Sequence, residues 1–359
     1  MIRTFIALTV CFLCCGCSGV KQSAAQPQQR PATQAPETNQ APQAYQQTGL
    51  VDSSGKETLT EKFVFMLSLE EDPRVAAVML SDHKWAFVKP DGEFAFDGKF
   101  EQGTGFQEGL AVVQQDGKYG FLSPDGTFAV EPKFEFADWA GFHDGLCEVR
   151  SGETSAYVDK KGEIVIPYQR ELFKAGNFQG GLIHYSKEGE EIFLDTEGKE
   201  RFRSSLPGPF RHGDDLWVAG EQNVTYLDDQ GRDALGKTFA EGRPFHHGLA
   251  AVKTDKGWGL IDKSGTFKIE PQYEDAETLT ETLFAARKGG KWGVLKTSGE
   301  QVVPFQYDEI GYPSGGMVPV KVDKLWGLCD ESGKLTVEPK YKSLDPWRDD
   351  QHFVFFVEG

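Results

Sequence analysis

Within residues 245–273 the chain reads Phe245-His246-His247-Gly248-Leu249-Ala250-Ala251-Val252, then Lys256-Gly257-Trp258-Gly259-Leu260-Ile261-Asp262, then Lys263-Ser264-Gly265-Thr266-Phe267-Lys268-Ile269-Glu270-Pro271-Gln272-Tyr273. Three apolar runs of about 5–7 residues are separated by Asp, Gly, Lys and Ser, which predicts three antiparallel strands joined by two tight hairpins. Asp262-x-x-Gly265 suits a type I turn ending in a left-handed glycine, the closure of a bulged hairpin. Pro271 is expected to follow the third strand and stop its ladder, and Gly259 to leave room for an aromatic ring across the backbone.

The turn glycine recurs. Gly92, Gly126, Gly162, Gly198, Gly231, Gly265, Gly299 and Gly333 are separated by 34, 36, 36, 33, 34, 34 and 34 residues. Asp159, Asp195, Asp228 and Asp330 share the slot of Asp262, while Lys89, Ser123 and Lys296 depart from it. A period in this range marks units that bury their apolar faces only by stacking. The chain is therefore expected to be all-β, with eight tandem three-stranded repeats. A propeller-like ring is slightly favoured over an open β-solenoid, because His352-Phe353-Val354-Phe355-Phe356-Val357 supplies one extra strand that would complete the first unit.

The repeats resemble the bacterial WG-containing repeat proteins. Tyr119-Gly120, Trp258-Gly259, Trp292-Gly293 and Trp326-Gly327 match the signature pair, and Trp85-Ala86 is a near match. The preceding Phe-x-x-Gly-Leu occurs at Phe106 to Leu110, Phe142 to Leu146, Phe178 to Leu182 and Phe245 to Leu249. The resemblance covers residues 75–359 and implies an all-β repeat body with no established activity. Ser155-Ala156, Glu191-Ile192 and Val224-Thr225 replace the pair in three consecutive repeats, which should be the least regular or the most specialised.

The ends speak to location. Arg3 precedes an apolar run from Thr4 to Cys15, too short to span a bilayer, and residues 1–16 read as a signal peptide. Cys14-Cys15-Gly16-Cys17 resembles a bacterial lipobox, with Cys17 as the residue to be lipidated. Several acyl chains there would give a stable anchor. Up to residue 50 the chain is Gln, Ala, Pro and Thr, a composition that predicts a disordered tether. Residues 51–74 read as a lead-in to the repeat body. Ser18 is not the Asp that, in lipoproteins, retains proteins at the inner membrane, so outer-membrane sorting is expected.

The net charge of −17 and the lack of a Lys/Arg-rich run disfavour nucleic acid as a partner. Only Cys147 and Cys329 lie in the body, where they fill the slots of Ala111 and Ile261, so they read as buried small residues and not as a disulfide framework. No nucleophile elbow, phosphate loop or zinc motif is present, and no catalytic residue, metal or cofactor is assigned.

Candidate binding residues are of two kinds. His143, His212, His246 and His247 fall in the Phe-x-x-Gly turns, expected along one edge of the stack, with His212 and His247 in the same slot. Trp139 and Trp347 fall in connections between repeats, where exposed aromatics would stack on sugar rings. The signature aromatics Trp85, Tyr119, Trp258, Trp292 and Trp326 read as core. The leading expectation is a non-catalytic, envelope-anchored scaffold that binds another envelope protein. Glycan or peptidoglycan binding is one alternative, and a hydrolase with an unrecognised carboxylate pair is another.

Overall fold

The computed structural model describes residues 47–357 apart from 53, 55, 60–62, 67–74, 90, 174, 207, 209, 221 and 348–351. All lie in one compact unit, Tyr45–Gly359. The signal peptide, Cys17 and most of the tether lie outside the described residues. The strand Gln47–Asp52 begins within the span read as tether.

The described residues form nine antiparallel sheets and no helix. In chain order they occupy residues 63–88, 102–134, 136–169, 182–204, 210–239, 241–273, 275–307 and 309–341, and the ninth is shared by the two ends. None closes on itself. Seven of the nine carry four strands, not the expected three. The additional strand comes first and is often only two residues long, as in Phe136–Ala137, Glu241–Gly242 and Glu309–Ile310. So short a strand has no hydrophobic period to read.

Each core lies between sheets. Leu110, Val112, Phe121 and Val130 of the second sheet pack on Cys147, Val149, Ala156 and Val158 of the third, and the same arrangement joins later neighbours. The Phe of Phe-x-x-Gly is the connecting element. Phe106, Phe142, Phe178, Phe210 and Phe245 each meet an aromatic ring of the preceding sheet, with centroids 4.7–5.2 Å apart. Burying one such ring is worth roughly 1.5–3 kcal/mol, with up to about 1.5 more for the aromatic pair. This interdependence is why a single repeat does not stand alone. Cys147 and Cys329 are buried, unbridged members of these cores.

The turn glycines and the signature glycines serve different contacts. Gly162, Gly198 and Gly231 hold positive φ and rest on Val130, Ile166 and Phe202 of the preceding sheet, so backbone conformation and packing both demand glycine there. The signature glycine answers to backbone, which corrects the aromatic reading. A methyl on Gly259 would stand 2.5 Å from the Ile269 carbonyl oxygen and 2.8 Å from the Pro271 nitrogen. Trp258 pairs with Tyr273 and Leu260 with Ile269, so Glu270, Pro271 and Gln272 bulge over the glycine. Proline therefore sits inside the last strand, at a bulge, where no ladder donor is needed. The second, seventh and eighth sheets repeat this device at Gly120, Gly293 and Gly327. In the third sheet, with Ala156 in that place, the bulge is one residue shorter.

The ends meet. Gln47–Asp52 pairs along its length with His352–Val357, which also pairs with Ser343–Trp347. An open solenoid would leave its first and last strands apart, whereas here they are neighbours in one sheet. Val51 and Leu344 pack with Leu328, Val337 and Tyr341 of the eighth sheet. The architecture is propeller-like, latched by its terminal sheet.

Candidate interaction surface

The Phe-x-x-Gly turns do follow one another along an edge. A carboxylate of one turn accepts a backbone N–H from the next: Glu108 from Gly145, Asp144 from Gly181, and Asp214 from Gly248, at 2.7–3.0 Å. The donating glycines and the accepting residues all have positive φ, as the tight hairpin requires. The histidines sit in this edge in different ways. His143 is buried, its Nε2 3.2 Å from the Ala140 carbonyl oxygen. His247 holds a turn position at φ 55°, the position of Asp214 and not of His212. Asp214 and Asp215 form the hairpin between Gly213 and Leu216, which moves His212 back into the strand. Its ring covers Gly180 of the preceding turn and lies 5.1 Å from the Trp217 ring. Burial lowers the pKa of His212 and of His246, against the opposing pull of Asp144, Asp214 and Asp215 on His212 and of Asp214 on His246. Among the described residues no three His, Cys, Asp or Glu side chains converge as metal ligands.

The signature aromatics belong to a repeated triad. Lys253 pairs across strands with Trp258 and with Glu241, and Lys321 does the same with Trp326 and Glu309. Trp85 and Trp258 are buried, whereas Tyr119, Trp292 and Trp326 are half-buried. In the third sheet the triad is rebuilt. Ser155 stands where Trp258 would be, and Arg150 instead covers the Phe136 ring, 4.4 Å from its centroid. Arg150 grips the fully buried Glu148 through two nitrogens at 2.7 and 2.9 Å, and Ser155 donates to the same carboxylate. In the fourth sheet Glu191 occupies the slot, bound by Ser186 and by His184 Nδ1 at 2.9 Å. Among the described residues three pairs of carboxylates each clamp one arginine: Asp138 and Glu148 on Arg150, Asp275 and Glu277 on Arg243, and the more exposed Glu190 and Glu200 on Arg203. Burial raises the Glu277 pKa against the lowering pull of Arg243.

Exposed apolar side chains recur in this same third repeat, three on the edge strand Ile164–Gln169 and one, Trp139, in the turn beside the opposite edge strand Phe136–Ala137. Trp139 is 44 % exposed, Ile164 53 %, Val165 38 % and Tyr168 38 %, four of the seven large apolar residues left open to solvent among the described residues. Trp139 stands on a short insertion turned by Asp138, whose carboxylate accepts from the Ala140 N–H at 2.8 Å, and its indole bonds the Tyr119 hydroxyl. Trp347, expected in a connection, lies in a strand paired with His352. Sequence reasoning missed Ile164, Val165 and Tyr168. The signal was available, since Ile164–Gln169 carries no charged residue where the equivalent Phe267–Tyr273 carries Lys268 and Glu270. Among the last strands of the second to eighth sheets only Gln301–Tyr307 is also uncharged, and its Val302 and Phe305 are packed against neighbours.

The WG containing repeat matches residues 85–119, 119–154, 258–292, 292–326 and 326–358. The chain belongs to the WG-containing repeat family. The unmatched span of this WG repeat protein, 155–257, is where the Trp-Gly pair gives way, and it carries Ile164, Val165 and Tyr168. No curated protein matches the sequence. Among solved structures, a eukaryotic initiation factor aligns over 80 % of this chain and 90 % of its own at 12 % identity, with a TM-score of 0.56. BamB from Moraxella catarrhalis aligns over 82 % and 97 % at 13 % identity and TM-score 0.40, and the computationally designed Ika8 protein over 82 % and 96 % at 11 % and 0.43. At such identities the likeness concerns fold alone.

Proposed function

We propose that this WG repeat protein is a non-catalytic scaffold, lipid-anchored through Cys17 in the bacterial envelope, whose third sheet docks another protein. The observation that carries the reading is the run of three exposed apolar side chains, Ile164, Val165 and Tyr168, on one uncharged edge strand of an otherwise acidic body. Exposed apolar surface that clusters, in place of scattering singly, marks interaction sites. The acidic excess belongs to the repeats, because residues 1–44 hold three basic side chains and one acidic. The converging carboxylates support the non-catalytic reading, since each pair is neutralised by an arginine.

A photo-cross-linking side chain at position 165, compared with one at position 268 in intact cells, tests the scaffold. A protein linked from 165 and not from 268 supports docking, and equal or absent linkage at both removes it. The anchor is tested separately by Cys17→Ser and membrane fractionation, where unchanged partition refutes lipidation. A glycan reading is favoured by Trp139 alone, and Trp139→Ala would abolish binding to peptidoglycan fragments while sparing the cross-link from 165.

A further inference from the structure

The register of the repeats indicates what the exposed strand of the third sheet lacks. In the sixth sheet the turn carboxylate of Asp262 accepts the Ser264 and Thr266 N–H groups through one oxygen and pairs through the other with Lys268, at 3.0 Å. In the fourth sheet Asp195 does the same for Glu197 and Lys199, with Arg201 at 4.0 Å. Both cations stand six residues after the aspartate, on the last strand. In the third sheet Asp159 accepts from Lys161 and Glu163 in the same manner, at 2.9 Å, but the residue six positions on is Val165. The eighth sheet places polar Thr336 there. The fifth sheet places exposed Ala234 there, but its Asp228 pairs instead with Arg232 at 2.8 Å. Among the described Asp turns, only that of the third sheet joins an exposed aliphatic residue at this position to a carboxylate without an ion pair.

The surrounding cations do not make good the difference. Lys160 is held by Glu108, 3.3 Å away, and Lys133 reaches the Gly162 carbonyl oxygen at 3.1 Å, not a carboxylate. Asp159 and the adjacent exposed Glu163 have no ion pair among the described residues. Tyr168, on the same strand, feels the charge of Glu135. Native edge strands usually carry charge that discourages association, and here that charge has been exchanged for Ile164, Val165 and Tyr168.

We infer that this strand is the docking site for a segment of a partner protein that carries aliphatic side chains interleaved with Lys or Arg, the aliphatics covering Ile164, Val165 and Tyr168 and a cation taking the position at Asp159 that Lys268 takes at Asp262. The inference rests on the docking reading above and adds the chemistry of the partner. Apolar cover supplies most of the affinity, and the cation sets register and specificity.

The test is direct binding of two labelled 12-residue peptides to the full chain, one alternating Val with Lys and one alternating Val with Glu, read by fluorescence anisotropy. The Val/Lys peptide is expected to bind at least ~10-fold tighter than the Val/Glu peptide, with affinity falling as salt rises. Val165→Lys restores the cation that the fourth and sixth sheets carry, so it is compatible with the fold, and it should weaken the Val/Lys peptide by about 10-fold or more. Ile164→Ser should weaken it without changing the charge. Equal binding of both peptides, or Val/Lys binding that neither variant affects, overturns the inference. So does a chain that sediments as a dimer and becomes monomeric on Val165→Lys, since the occupant is then a second copy. Any of these can occur while the cellular cross-link from 165 persists, in which case the scaffold reading survives and only the partner's chemistry is wrong.

Discussion

Gly259 lies beneath the carbonyl of Ile269, and a methyl group added to it would come within 2.5 Å of that oxygen. The obstacle is a neighbouring backbone, which cannot swing aside as a side chain would. Gly259→Ala should therefore destabilise the body by about 1–3 kcal/mol, the usual cost of forcing an extra carbon into a packed site. Urea unfolding measures it. Removing the bulge should relieve the clash, because the third sheet, with a bulge one residue shorter, accommodates Ala156 at this position. Deletion of one residue from Glu270-Pro271-Gln272 in the Gly259→Ala background is expected to recover part of the loss.

The edge ladder makes a prediction that runs against the sequence pattern. Glu108, Asp144 and Asp214 occupy corresponding turn positions, and Gly180 stands in the same place in the fourth sheet. Restoring the pattern with Gly180→Asp looks favourable on sequence grounds. The structure says otherwise, since even a Cβ there would lie 2.2 Å from the His212 ring. Gly180→Asp should be destabilising, and His212→Ala should rescue it in a double-mutant cycle with a coupling of about 1 kcal/mol or more. Additive effects would show that ring and glycine do not interact.

Protonation should loosen the same edge. Burial holds the pKa of His212 and His246 below the usual histidine value, so the folded state favours the neutral rings. The unfolded chain takes up those protons first. Stability is then fully present above about pH 6.5 and declines as pH falls from there toward the lowered folded values. The midpoint of urea unfolding should drop between pH 7.5 and pH 5. His212→Gln should flatten that slope, and an unchanged slope would assign it to other groups.

How much was legible follows from the kind of constraint each residue meets. Gly265 and its equivalents were readable because a left-handed turn demands glycine whatever surrounds it. The latch was suggested by one orphan strand, His352–Val357, although its partner Gln47–Asp52 lay in a segment whose composition reads as tether. The strand Glu241–Gly242 was not readable, because two residues carry no period and their pairing depends on Lys253 and Val252 of the following strand. The register of His212 was misread because the extra Asp214-Asp215 hairpin imitates a repeat of ordinary length. Val165 was hidden for a different reason. An aliphatic residue in a strand reads as core until the register shows that its counterpart is Lys268.

The latch itself can be opened by a substitution within the terminal sheet alone. Phe355 pairs through its backbone with Gly49 on one side and Leu344 on the other, a position in the middle of the terminal sheet. Proline there removes the N–H and cannot serve in a strand flanked on both sides. Phe355→Pro is expected to release the Gln47–Asp52 strand, which hydrogen exchange would show as lost protection in residues 47–52 and 343–347. Because each core is shared between neighbouring sheets, the loss should spread to Leu328, Val337 and Tyr341 of the eighth sheet before it reaches the fourth. Lost protection confined to the terminal strands would mean that the circuit does not depend on its latch, and that the stack of sheets holds as an open array.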